Sequence, residues 1–96
     1  MLNMYSIHDK KSDIFSIPAF SLTDGTIIRD FRVYLQNKTM YSDYPEDYDL
    51  YEIGSFEEST GLVYNCDPRF VISFLDILKM NESEVSDEQT IPEDES

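Results

Sequence analysis

Apolar positions along the chain follow a strand-like alternation, switch to helical spacing, and then repeat that order. In "LNMYSIH" the β-favouring Tyr5 and Ile7 fall on one face, and "DKKSD" follows as a charged turn. In "IFSIP" Phe15 and Ile17 share a face, and Pro18, lacking an N–H, ends the strand or puts it at a sheet edge. These two runs predict a first hairpin. In "SLTDGTIIRDFRVYLQN", Ile27, Ile28, Phe31, Tyr34 and Leu35 recur at the spacing of one helical face, with Arg29, Arg32 and Gln36 opposite. Ser21, followed three residues on by Asp24, resembles a capping box with Asp in place of the usual Glu or Gln.

"KTMYSDYPEDYD" has turn chemistry without a period and reads as loop. "LYEIGSF" reads as a strand, "EEST" with Gly61 as a turn, and "LVY" as the returning strand. Asp67 and Pro68 stand in the order of an N-cap acceptor and a proline at the first helical position, predicting a second helix over "RFVISFLDILK". Phe70, Val71, Ile72, Phe74, Leu75, Ile77 and Leu78 form an apolar arc wider than the roughly 100° stripe of a surface helix, so more than the sheet is expected to cover it. The expected fold is a small two-layer α+β domain in the order ββαββα. Its antiparallel four-stranded sheet would carry both helices on one face. "YSIHD" echoes "YEIGS", but tyrosine and isoleucine are general strand formers, and the echo reads as chance.

Charge divides the chain. Residues 1–80 carry 13 acidic and 7 basic side chains, whereas residues 81–96 carry 7 acidic and no basic ones, within a total of −13. The first 80 residues suffice for a single core. The polar, acidic remainder is expected to be a disordered tail, because it buries too little apolar surface to offset ordering entropy. So acidic a chain is poorly suited to nonspecific grip on nucleic acid, which depends on Lys and Arg. No stretch approaches the ~20 apolar residues of a membrane span. The opening residues lack the pattern of a signal peptide, and Cys66 has no second cysteine to pair with. An intracellular protein is expected, with the sequons at Asn37 and Asn81 arising by chance.

Candidate chemistry is sparse. His8, the single histidine, has no acid–base partner nearby in sequence and reads as a strand-end residue. Cys66 lacks a nucleophile signature and reads as a small filler. Asp43, Glu46, Asp47 and Asp49 could offer oxygens to a divalent cation, but the calcium-loop pattern and its glycine are absent. No enzyme, metal site or cofactor is expected. Lys10, Lys11, Arg29 and Arg32 are the basic grouping that could meet single-stranded DNA, or solvate the surface and pair with nearby acids, the second being the preferred reading in so acidic a chain. Tyr41, Tyr44 and Tyr48 could stack bases or pack the loop onto the sheet, the second being the preferred reading.

"YPEDYDLYEIGSFEESTG", residues 44–61, resembles a segment of the small nonstructural proteins of gokushovirus-type microviruses. The similarity rests on Pro45, Glu46, Asp47, Tyr48, Leu50, Tyr51, Ile53, Gly54, Phe56, Thr60 and Gly61. "YSIHDKKS", the Pro18 and Phe20 pair, and "IIRDF" extend it over roughly residues 4–64. The resemblance implies an early, non-capsid protein of a small single-stranded DNA phage, acting in the host bacterial cytoplasm. Its implied setting is viral DNA replication or the switch to single-strand synthesis. Three modes of action remain open. The first is contact with a phage or host replication protein through Tyr44, Glu46, Asp47 and Tyr48 or through Ile72 and Leu75. The second is direct binding of single-stranded DNA. The third is a structural homodimer made by the second helix.

Overall fold

The computed structural model describes residues 1–82. Strand β1 (Leu2–Asp9) is central and pairs on one side with β2 (Ile14–Phe15) and β3 (Ala19–Ser21). Its other neighbour is β4 (Tyr48–Glu57), which in turn pairs with the edge strand β5 (Leu62–Ser73). All pairings are antiparallel. Helix α1 (Asp24–Tyr34), helix α2 (Met40–Asp43) and a 3-10 turn (Pro45–Asp47) connect β3 to β4, and helix α3 begins at residue 74 and continues through residue 82.

The α+β class, the antiparallel sheet and the predicted hairpins agree with the sequence reading. The element order differs in three places. The second strand is split into β2 and β3. His8 pairs with Phe15 and Tyr5 with Ala19, so one extra residue is accommodated around Ile17 and Pro18. Proline cannot donate to the ladder, and a bulge at an edge tolerates it.

The second departure is larger. Asp67 and Pro68 do not open a helix; they lie inside β5, where the register shifts between Glu52–Arg69 and Gly54–Asn65. Pro68 thus occupies a bulge in an edge strand, and the aromatic and β-branched run Phe70, Val71, Ile72 continues as strand. The arc looked too broad for one helix because it combines a strand end with the start of α3.

The third departure is the loop, which contains α2 and the 3-10 turn. Thr39 Oγ1 accepts from the N–H groups of Tyr41 and Ser42, while Ser42 Oγ accepts from the Thr39 N–H, a reciprocal box at the head of α2. Four helical residues are too few to show a period. At α1 the cap is Thr23, whose Oγ1 accepts from Thr26 N–H; Ser21, expected there, is buried in β3.

One face of the sheet carries the helices. Tyr5, Tyr48 and Leu50 from the sheet meet Ile27 and Leu35 of the first helical segment and Phe74 and Ile77 of α3 in the buried core. Phe31 lies 5.3 Å from Phe74 between ring centroids, and Tyr41 packs at 5.5 Å from the same ring. Three helices therefore share the layer where two were expected. Asn81, placed in the tail by its composition, belongs to this layer, its Nδ2 donating to the Arg32 carbonyl. The rest of the expected disordered tail, residues 83–96, lies outside the described residues.

Candidate interaction surface

Side chains alternate across β1, so Tyr5 and Ile7 face the helices while Leu2, Met4, Ser6 and His8 face away. Cross-strand pairing carries Phe15, Phe20, Tyr51, Phe56, Val63 and Phe70 to that second, outer face. Rings meet there in two groups. His8 stacks on Phe15 at 4.5 Å and meets Tyr51 edge-on at 5.7 Å, and Tyr51 meets Phe70 at 5.8 Å. Phe20 and Phe56 form the second pair at 5.9 Å. Phe15, Phe20, Val63 and Phe70 remain 41%, 49%, 54% and 52% exposed. The core residues of α1 and α3 pack against the other face, with Tyr5, Tyr48 and Leu50.

Polar partners stand beside it. His8 Nε2 lies 2.8 Å from Asp13 Oδ1, while its Nδ1 is buried without a hydrogen-bond partner among the described residues. Asp13 adopts φ 59°, a left-handed conformation that Asp tolerates better than most residues, and this brings its carboxylate to the ring. Lys10 Nζ lies 3.7 Å from Asp49, the cross-strand neighbour of His8, and Lys11 Nζ lies 3.4 Å from Asp47.

The four basic candidates do not converge. Lys10 and Lys11 sit in the β1–β2 turn, whereas Arg29 and Arg32 belong to α1 on the opposite layer, where Arg32 meets Asn81. The partner candidates separate as well. Tyr44 and Glu46 are exposed between α2 and β4, Asp47 is half-buried, and Tyr48 is in the core against Tyr41. Ile72 lies half-buried on β5, and Leu75 is exposed on α3.

Arg69, which the sequence reading passed over, holds the helix-side end of the sheet. Its Nη2 bonds Asp24 at 2.8 and 2.9 Å, and its Nε bonds Glu52 at 2.7 Å. These carboxylates push the guanidinium pKa further up, so it stays charged. Asp24 also accepts from the Tyr5 hydroxyl at 2.7 Å. A cleft of about 370 Å³ beside Arg69 includes Asn3, Glu52, Tyr64 and Cys66, but its cation is already committed to two carboxylates. Among the described residues no group of three or more His, Cys, Asp or Glu is placed to hold a metal ion. No helix there is long and apolar enough to cross a membrane.

The sequence matches the family described as Phage ORF5 protein over residues 2–77, from β1 into α3. The chain belongs to that family. No curated protein and no solved structure shows a significant match. The family supports the phage origin implied by the resemblance. The outer aromatic face lies within the matched span, with every ring from His8 to Phe70 included.

The outer face was missed because a period-two pattern identifies two faces without saying which is covered. A signal was nonetheless present. β4 places Tyr48 and Leu50 inward yet Tyr51 and Phe56 outward, so both faces of one strand carry apolar side chains.

Proposed function

We infer that this phage protein is a nonenzymatic accessory factor that works through protein contacts made by the outer face of its sheet. The carrying observation is the pairing of an exposed aromatic surface with cations already bound to Asp47 and Asp49. Aromatic residues are favoured and unpaired charges disfavoured at the centre of protein interfaces. Phosphate binding needs free cations gathered along a track, and here Arg29 and Arg32 lie on the layer opposite Lys10 and Lys11.

The setting follows from the resemblance to microvirus nonstructural proteins: phage DNA replication or the switch to single-strand synthesis, in the host cytoplasm. A phage or host replication protein would be met there through the exposed Tyr44 and Glu46 before β4, and the acidic end of the chain favours a basic one. A second reading rests on the same rings. Open sheet faces with aromatics stack the bases of single-stranded nucleic acid, and Lys10 lies at the rim of this one.

Anisotropy titration of labelled single-stranded DNA, at low and moderate salt, separates the two. The full chain and a version ending at Glu82 are compared. Absence of binding by both is the expected result. Binding that weakens steeply with salt and is lost on replacing Phe15 and Tyr51 would overturn the protein-contact reading and establish the second.

A further inference from the structure

We propose that the outer face pairs with the same face of a second copy of this chain, giving a homodimer in which two sheets pack face to face between outer helical layers. The proposal rests on the protein-contact reading above and names the occupant of that surface. It differs from a dimer made by the C-terminal helix.

Three features favour a second copy. The first is area. β1, β4 and β5 run 8, 10 and 12 residues, and the short β2 and β3 together line the fourth position. At ~4.8 Å between strands and about eight rungs, the face measures roughly 20 by 26 Å. Once side-chain relief is included, that is comparable with the ~800 Å² per partner of a stable interface. The exposed parts of Phe15, Phe20, Val63 and Phe70 already make an apolar patch of a few hundred Å², larger than scattered surface residues would leave.

The second is self-complementarity. Aromatic rings pack well edge to face against one another, and the His8–Asp13 hydrogen bond and the Lys10–Asp49 ion pair keep these groups partnered as the face is buried. Sheets stack about 10 Å apart with their strands at about −30°, so an isologous arrangement brings like clusters together.

The third is the state of the edges. An antiparallel sheet can also associate by adding strands, but both edges here carry proline at a register shift, Pro18 between β2 and β3 and Pro68 within β5. These bulges disfavour edge addition and leave the face as the surface for self-association. The exposed Tyr44 and Glu46 lie outside that face, free for a further partner on each copy.

Each chain carries −13, so repulsion between copies opposes pairing and salt should relieve it. Sedimentation velocity on the full chain, from micromolar to near-millimolar concentration and at low and high salt, tests the proposal. A monomer–dimer equilibrium that tightens with salt is expected. Phe70→Glu and, independently, Val63→Glu should each weaken it at least about tenfold while circular dichroism stays unchanged. Leu75→Glu, on α3, should leave it intact.

A monomer under every condition would overturn the pairing, as would a dimer broken by Leu75→Glu and indifferent to the two face variants. Neither result touches the protein-contact reading, which fails only if single-stranded DNA binds the rings.

Discussion

The Tyr5 hydroxyl donates a 2.7 Å hydrogen bond to Asp24, joining the centre of β1 to the first turn of α1. The phenol is fully buried, and Arg69 holds the same carboxylate from β5. Three elements distant in sequence therefore meet at one carboxylate. Asp24 at the N-terminal end of α1 also complements the helix dipole.

Burial, reinforced by the hydrogen bond to Asp24, raises the Tyr5 pKa to about 12 from an ordinary value of 10.0. A raised folded value favours the protonated phenol, so its stabilising contribution is complete below pH 10 and is lost as pH rises toward 12. Ultraviolet titration should show a late-ionising tyrosine whose ionisation coincides with loss of structure. Tyr5→Phe should remove that component and cost about 1–2 kcal/mol at neutral pH by urea unfolding. An unchanged alkaline profile would show that Tyr5 does not limit stability there.

Asp24 predicts the opposite dependence. Burial raises its pKa, but the bonds from Tyr5 and Arg69 outweigh that effect and hold it below its ordinary 3.8. A depressed folded value gives stability that is present above pH 3.8 and declines as pH falls through the folded value. Asp24→Asn should be less stable than the parent at neutral pH, with the gap narrowing during acidification. Paired urea melts at neutral and acidic pH measure that gap, and a constant gap would remove Asp24 from the acid response.

Gly54 faces the backbone of β5 so closely that an added Cβ would lie 2.5 Å from the Tyr64 carbonyl oxygen. The register shift between Glu52 and Gly54 creates this close approach. Gly54→Ala must push β5 away, at an expected cost of about 1–3 kcal/mol. Chemical denaturation checks it, and a loss within error of zero would mean that the bulge absorbs the methyl group freely.

Local patterns made much of this fold legible, and competing signals concealed the remainder. Ile27, Phe31 and Leu35 identified α1 because their spacing needs no knowledge of the rest of the molecule. The turn from Glu57 to Gly61 was legible for the same reason, Gly61 taking φ 76° and donating to the Glu57 carbonyl. Asp67 and Pro68 misled because a proline missing its N–H suits both a helix start and an edge-strand bulge. The matching Tyr-x-Ile starts do not reflect a structural repeat, since Tyr5 faces the helices and Tyr51 the outer face. The cations near Lys10 were visible in the sequence, but their carboxylate partners on and just before β4 were not. Those carboxylates lie 3.7 and 3.4 Å from the two lysines.

Pro68 offers a test of how the sheet limits its own association. β5 is the exposed edge, with Leu62, Val63, Tyr64 and Phe70 all accessible, and such a strand invites pairing with another chain. Pro68 interrupts it by withholding an N–H within the bulge. Pro68→Val restores a donor and a strong β-former where no core contact is at stake, so folding stability should change by no more than about 0.5 kcal/mol. Association through this edge should nevertheless increase, visible as concentration-dependent light scattering that Phe70→Glu does not fully suppress. Scattering equal to the parent's would mean that the bulge geometry, rather than the missing N–H, protects this edge.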